Sequence, residues 1–363
     1  MASIVYEDVI TALGPGADRL WQGVLSNQTA IRPFNRFATA NFQTHNAAFI
    51  GHLDSAKNDS LAWQMLWPIL LPVKSMVKKD TILFLATTTG EIDFLERAVK
   101  GRGNYKTSSP LVLLERVKKL LKIKEGRLIS AACASSSSAL AQAAAAIESK
   151  GTTSAIVVAV DSISQFVFSG FSSLFALDPE KAKPFDQNRK GLSVGEAAGV
   201  MVLSANPQQG LYQIKGWGLS CDANHITGPS RDGAGLSLAI ARALNMAKIK
   251  PGQIVSVCAH GTGTVYNDAM EMKAFKKVFL KPLPVYSIKG AIGHTMAAAG
   301  LTQAIVMGKS LQAQIVPPSS NLQTVDPEAL GWVQNKSVNK KGNFGLVVNS
   351  GFGGINCALV LNN

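Results

Sequence analysis

The stretch from Leu128 to Ile147 constrains the chain more than any other. It reads Leu-Ile-Ser-Ala-Ala-Cys-Ala-Ser-Ser-Ser-Ser-Ala-Leu-Ala-Gln-Ala-Ala-Ala-Ala-Ile, an apolar run that stops at Cys133 and passes at once into an alanine-rich helix. Such strands of continuous apolar residues, alternating with helices, indicate parallel sheets covered on both faces. The same order recurs weakly along the chain. In the first half a strand, Cys133, a helix and the strand Ser154 to Val160 follow one another. In the second, Ile254 to Ala259, His260, the helix-like Ala269 to Phe279 and Gly345 to Asn349 repeat it.

A thiol at the start of a helix faces the positive end of the dipole and N–H groups that have no intrahelical partner. Both favour thiolate, and the same N–H groups can hold an oxyanion. Small neighbours, Ala131, Ala132, Ala134 and Ser135, leave room for a thioester. The competing reading is a small core hydrophobe at a strand end, because free cysteine is commonly buried. Two other glycine-rich turns carry imidazoles. Ile254 to Thr264 delivers His260 into Gly-Thr-Gly-Thr, and Val285 to Gly300 places His294 before another alanine-rich helix. Of five histidines, two occupy these elbows, which is hard to read as packing alone.

The three blocks together resemble the elongating β-ketoacyl-acyl carrier protein synthases, the Cys-His-His branch of the thiolase superfamily. The likeness begins at Thr11-Ala-Leu-Gly-Pro-Gly16 with Leu20-Trp21. It continues through Pro184-Phe-Asp-Gln-Asn-Arg-Lys-Gly191, Gly195-Glu-Ala-Ala-Gly199 and Asp222-Ala-Asn-His-Ile-Thr-Gly-Pro229. It ends with Asn267-Asp-Ala-Met-Glu271 and Gly351-Phe-Gly-Gly-Ile-Asn356. The resemblance implies an α/β chain with the five-layered α-β-α-β-α thiolase-like fold of two related halves. The turn Asn206 to Gly210 suggests halves at 1–205, with the nucleophile, and 206–363, with both histidines.

The resemblance also assigns roles. Cys133 matches the acylated nucleophile, and His260 and His294 match the pair that grips a malonyl thioester while carbon dioxide leaves. Lys289 and Glu271 match a buried ion pair supporting both histidine loops, with Asp268 beside them. Thr262 and Thr264 match hydroxyls that bind pantetheine amides, although turn chemistry would also account for them. Phe352 matches a gating phenylalanine whose N–H completes an oxyanion hole with that of Cys133. The implied reaction is decarboxylative Claisen condensation of an acyl group with malonyl-acyl carrier protein, in fatty-acid, polyene or type II polyketide elongation. Substrates would arrive on the phosphopantetheine of an acyl carrier protein, with no cofactor and no metal. The alternatives are a thiolase or initiation-type synthase using coenzyme A thioesters, or a chain-length partner subunit. The first lacks the paired histidines, and the second typically lacks the cysteine.

Three departures stand out. Ser350 occupies a position that is commonly aromatic, the segment ahead of Cys133 is shortened, and the usual Gly-Glu-Gly reads Gly195-Glu-Ala197. They point away from a housekeeping fatty-acid enzyme.

Composition is compatible. With 363 residues, 47% of them hydrophobic, a large core is affordable. No apolar run approaches the ~18 residues of a membrane span. No basic segment leads into an apolar stretch at the N-terminus, and the four cysteines lack CxxC spacing, so reduced thiols in the cytoplasm are expected. The net charge of +13 gathers at Lys74-Lys78-Lys79, Arg97-Lys100-Arg102-Lys106 and Arg116-Lys118-Lys119-Lys122-Lys124-Arg127. A solvated face is the plain reading of any one cluster. Nucleic acid fits poorly without a binding module or interleaved aromatics, whereas an acidic carrier protein fits well. The uncharged strand Ser154 to Val160, if an open edge, would need a partner. A homodimer, or a heterodimer with a ketosynthase-like subunit, is therefore expected.

Overall fold

The computed structural model describes residues 2–363. Ten strands form one mixed sheet: β1 (Ala2–Thr11), β2 (Ile82–Ala86), β3 (Glu125–Ile129), β4 (Ser154–Asp161), β5 (Ala197–Ser204), β6 (Tyr212–Cys221), β7 (Ile254–Cys258), β8 (Val285–Tyr286), β9 (Phe344–Gly351) and β10 (Ile355–Asn362). A two-residue strand, Gly14–Pro15, folds back on β1. The order across the sheet is β8-β7-β9-β10-β6-β1-β5-β4-β2-β3. Counted outward from the seam, each set of five runs first, fifth, fourth, second, third. The seam itself is short: Ala2, Ser3 and Ile4 pair with Ile214, Gln213 and Tyr212.

Alternation along the strands sorts side chains into layers, as a period of two requires. Leu83, Leu85, Ile156 and Val158 face α1 (Leu61–Leu70) and α2 (Pro110–Leu121). Their neighbours Phe84, Ala86 and Val157 face the opposite way, onto α3 (Ser135–Glu148). In the second set Val347 and Leu359 join that central layer, with α7 (Ala299–Ala313). Leu346, Val348 and Val360 pack outward on α5 (Ala234–Ala247) and α6 (Val265–Val278). The remaining helix of interest, α4 (Gln165–Ser173), follows β4. The layers are thus α1/α2, sheet, α3/α7, sheet, α5/α6, the five-layered arrangement expected.

Two expectations need correction. Ser154 to Val160 is no edge: β4 lies parallel to β2 on one side and antiparallel to β5 on the other, fully buried. A continuous apolar run looks the same in a central strand as at an edge, so its composition could not tell them apart. On that side of the sheet the edge is β3, which pairs only with β2 and carries Glu125 and Arg127 in its exposed positions. Charges on an edge discourage unwanted strand addition. The internal echo also shifts by one element. Cys133 follows the third strand of its set, and so does His294; His260 follows the second. Its counterpart in the first set is the turn after β2, Thr87 to Gly90.

No helix among the described residues is long and apolar enough to cross a membrane.

Candidate active site

Cys133 sits on a strained elbow between β3 and α3. Ala132 takes a left-handed φ of 47°, a conformation that a β-carbon disfavours. The Ser135 hydroxyl holds the bend, accepting the Ala131 N–H at 2.8 Å and donating to the Ala132 carbonyl at 2.6 Å. The thiol ends up 7% exposed. Here the expectation of a ready thiolate fails. Burial pushes the Cys133 thiol up to about 11, and the Lys289 charge and the N–H groups of Phe352 and Cys133 recover only part of that. Desolvation outweighs the helix terminus. The two N–H groups, which follow the C-terminal ends of β3 and β9, nevertheless both bear on the sulfur, the arrangement an oxyanion needs.

His294 Nε2 lies 3.0 Å from Cys133 Sγ, and the His260 and His294 rings stand edge to face with centroids 5.2 Å apart. Burial, and then the Lys289 charge, hold both imidazoles well below the ordinary histidine range. Both are therefore neutral at physiological pH. The Met296 N–H donates to His294 Nδ1 at 3.3 Å, so that ring carries its proton on Nε2, facing the sulfur. The His294 loop is fixed by an N–H bond to the Ser193 carbonyl at 2.7 Å and by the Gly195 N–H to its own carbonyl at 3.0 Å. This accounts for the Gly195-Glu-Ala motif. Glu196 meanwhile is buried and pairs with Arg36 at 2.7 Å. One donor atom each from Cys133, His260 and His294 lie within 4.8 Å of one another, a spacing that could suit a metal. A proton on His294 Nε2 and the nearby Lys289 charge both oppose a cation there.

Lys289 and Glu271 do not form the direct ion pair expected. They grip the His260 peptide from its two ends. Glu271 accepts the His260 N–H at 2.7 Å and the Gly261 N–H at 2.6 Å, and Lys289 Nζ donates to the His260 carbonyl. Both are buried. Burial, then the Asp268 charge, raises Glu271 to about 8; burial lowers Lys289, with Glu271 the foremost charge opposing that shift. Asp268 accepts the Thr262 N–H at 3.0 Å and the Gly263 N–H at 3.2 Å, shaping the turn. Its other oxygen takes the Phe185 N–H at 2.8 Å, and Arg189 stands 3.8 Å away, which ties in the Pro184 to Gly191 motif.

These residues close one end of a cavity of about 540 Å³ lined by Cys133, His260, His294, Thr262, Thr264 and Phe352. The Thr262 and Thr264 hydroxyls bond each other at 2.9 Å, so turn chemistry accounts for part of their presence, yet both face the cavity. Phe352 is 37% exposed on a loop held by the Asp222 to Pro229 segment. There the Gly353 N–H reaches the Ile226 carbonyl at 2.7 Å and the Asp222 N–H the Gly354 carbonyl at 2.8 Å.

Sequence reasoning missed three neighbours. Phe171 of α4 lies 5.9 Å from the Phe352 ring and 6.3 Å from that of His294. Gln303 of α7 and Asn349 of β9 surround His260, and both are buried. For Asn349 the signal was a polar side chain directly after the apolar run Leu346 to Val348; Gln303, in a helix that also carries Thr302, Lys309, Ser310 and Gln312, had none. The basic clusters are also less free than their composition suggests. Arg97 pairs with Asp93 at 2.8 Å, Lys118 with Glu115 at 2.7 Å, and Arg116 with Glu91 at 3.0 Å and with Asp59. Lys74, Lys78, Lys79, Lys119, Lys122 and Lys124 remain exposed.

Five alternating layers, with a thiol and two neutral imidazoles meeting where the central helices begin, define an acyl-transferring condensing enzyme of the thiolase superfamily. The N-terminal domain family of β-ketoacyl synthases matches residues 127–208, and the C-terminal domain family matches residues 211–323. The chain belongs to the β-ketoacyl synthase family. Among its relatives, a 3-oxoacyl-acyl-carrier-protein synthase 2 from Vibrio harveyi is 29% identical over 400 residues, spanning 97% of this chain and 96% of that protein. The ishigamide ketosynthase/chain length factor superposes with a TM-score of 0.88 at 26% identity, over 100% of this chain and 98% of that one. A ketosynthase from Xenorhabdus doucetiae, in complex with its chain length factor, gives a TM-score of 0.88 at 26% identity over 99% and 97%.

Proposed function

We propose that the protein elongates acyl chains by decarboxylative condensation with malonyl-acyl carrier protein. The observation that carries this reading is the 3.0 Å approach of His294 Nε2 to Cys133 Sγ with His260 beside it, inside one cavity. In the first half-reaction the Cys133 sulfur attacks the carrier thioester. The oxyanion meets the N–H groups of Cys133 and Phe352, and the thiol proton ends on the departing pantetheine thiol. In the second, His260 and His294 donate to the malonyl thioester oxygen, carbon dioxide leaves, and the resulting enolate carbon attacks the acyl group on Cys133. The C–S bond then breaks, the β-ketoacyl chain stays on the carrier, and the Cys133 thiolate takes up a proton from solvent. Neutral imidazoles suit that task because they donate without themselves being lost as acids. Lys289, Glu271 and Asp268 hold the His260 turn, Thr262 and Thr264 receive the pantetheine amides, and Phe352 gates the acyl side.

The relatives' names support a carrier protein as the substrate donor and a second ketosynthase-like chain as a partner, whether a copy or a chain length factor. Residues 1–205 and 206–363 serve as two related halves, a division supported by the repeated strand order and by the break between the family matches. Four free cysteines accord with a cytoplasmic setting. The test is incubation with acyl- and malonyl-carrier proteins, following carbon dioxide, product mass and the intact mass of the enzyme. A β-ketoacyl-carrier product and an acyl adduct on Cys133 are expected. Equal turnover with coenzyme A thioesters alone would overturn the carrier assignment, and an adduct on Cys221, Cys258 or Cys357 would overturn the nucleophile.

A further inference from the structure

A chain of amide groups leads from backbone carbonyls to the unprotonated face of His260. Gln303 Nε2 points at the carbonyls of Ala259 at 2.7 Å, Val348 at 3.3 Å and Cys258 at 3.4 Å. Only an N–H group can face three carbonyl oxygens, so the orientation of the Gln303 amide is fixed. Its Oε1 consequently faces Asn349 Nδ2, which donates at 2.6 Å, and Lys289 Nζ at 3.5 Å. The Asn349 amide is thereby fixed in turn, and its Oδ1 accepts the Ser137 hydroxyl. The Asn349 Nδ2 group also lies 3.4 Å from His260 Nδ1, as does Lys289 Nζ. With donors on both sides, Nδ1 keeps its lone pair and the single proton of the neutral ring belongs on Nε2.

We infer that Gln303 and Asn349 are positioning residues that set the His260 tautomer, passing an orientation from the Ala259, Val348 and Cys258 carbonyls to the imidazole. His294 receives the same tautomer from one backbone N–H, that of Met296; His260 has no such donor from the backbone and uses side chains instead. The consequence rests on the condensing reaction proposed above: the relay serves decarboxylation, where His260 must donate, and not the loading of Cys133. Asn349→Asp changes one atom group and places an acceptor against Nδ1, which should draw the proton there and leave Nε2 unable to donate.

The test uses the full chain with histidine labelled by nitrogen-15, in which five rings are to be distinguished. Wild type should show a neutral His260 with its proton on Nε2, and N349D a neutral ring with the proton on Nδ1. Carbon dioxide release from malonyl-carrier protein should fall about 100-fold in N349D, the usual cost of an oxyanion donor, while acylation of Cys133 is unchanged. If N349D does not fold, Gln303→Met removes the oxygen that fixes the Asn349 amide, frees that amide to turn its Oδ1 towards Nδ1, and should likewise move the His260 proton towards Nδ1 and lower carbon dioxide release. Ser137→Ala, which leaves both amide orientations fixed, should keep the wild-type tautomer. A proton on Nδ1 in wild type, or wild-type decarboxylation in a folded N349D, overturns the relay. The tautomer is read without turnover. A His260 protonated on Nε2, together with full decarboxylation in His260→Ala, would therefore sink the reaction assigned to the site and leave the relay standing.

Discussion

The turns after the second strand of each set make an instructive pair. In the first set, Asp161 at the end of β4 holds Thr87 to Thr89, accepting the Thr88 N–H at 3.0 Å, the Thr89 N–H at 3.1 Å and three threonine hydroxyls. In the second, Glu271 from the following helix holds His260 and Gly261, while Lys289 takes the carbonyl. Both turns are knotted to a buried carboxylate, yet only one presents a reactive side chain. The turns after the third strands pair differently, with Cys133 in one set and His294 in the other. The duplicated sheet supplies places, and the residue at each place decides what it does. The difference teaches that the catalytic asymmetry lies in four turns, not in the scaffold.

The strongest way to break this comparison is to empty the turn of Cys133. Cys133→Ala should lose acylation and condensation completely, as read by intact mass. In wild type, alkylation of the thiol should climb with pH towards about 11, because the reactive thiolate appears only as pH approaches the raised value. A plateau near pH 7 would refute the desolvated thiol. Next, His260→Ala and His294→Ala should each cost about 10²–10³-fold in carbon dioxide release with loading retained, the penalty for one oxyanion donor. Wild type should show no acid limb near 6.5, since both imidazoles stay neutral well below it.

The paired carboxylates sharpen the contrast. Glu271→Ala and Asp161→Ala should each destabilise by about 3–5 kcal/mol, because each orphans several buried donors. Glu271→Ala should also depress decarboxylation measured on the remaining folded protein, and more than Asp161→Ala, whose tie to the His294 segment is the Ala297 N–H at 2.8 Å. Equal activity losses would mean that both turns serve the site.

How much of this was written in the residues depends on the distance over which the signal acts. Cys133, His260 and His294 each stand in a short run where glycine or alanine marks the bend, so a local reading finds them. Gln303 and Asn349 act on His260 from 43 and 89 positions away, through bonds such as Asn349 to Ser137 that no local pattern reveals. The same limit explains β4: its apolar run specified a buried strand, but which neighbours it has is a property of the whole sheet. The thiol is a different case. The helix terminus was visible locally, and the burial that overrides it was not.

At the seam a smaller effect is expected. Glu7 of β1 accepts the Tyr212 hydroxyl of β6 at 2.5 Å, and burial raises its carboxyl to about 7. A folded value above the unfolded one means that its stabilising contribution is complete below about 4.5 and lost as pH rises through about 7. Glu7→Gln should therefore raise the melting temperature at pH 8 relative to wild type, by up to ~3 kcal/mol of stability, and change little at pH 4. An unchanged difference across that window would remove Glu7 from the pH response. The smallest effect belongs to the surface. Reversing Lys78 with Lys79 should raise the carrier protein's KM at low salt and lose its influence near 1 M, where the Debye length falls to ~3 Å. Salt-independent affinity would return those charges to ordinary solvation.

The serine and alanine run of α3 meets α7 at Gly300, where a β-carbon would lie 2.7 Å from the Ser137 nitrogen and closer still to its hydroxyl. Cys133 and His294 sit just ahead of those two helices. The gap between sulfur and imidazole is therefore gauged several residues away, by how thin the helices are where they touch. A single methyl group at Gly300 would act as a shim, widening the reacting distance without altering any group that reacts. A run that looks poor in information is in this sense a calibrated spacer, and drift within it is drift in the chemistry.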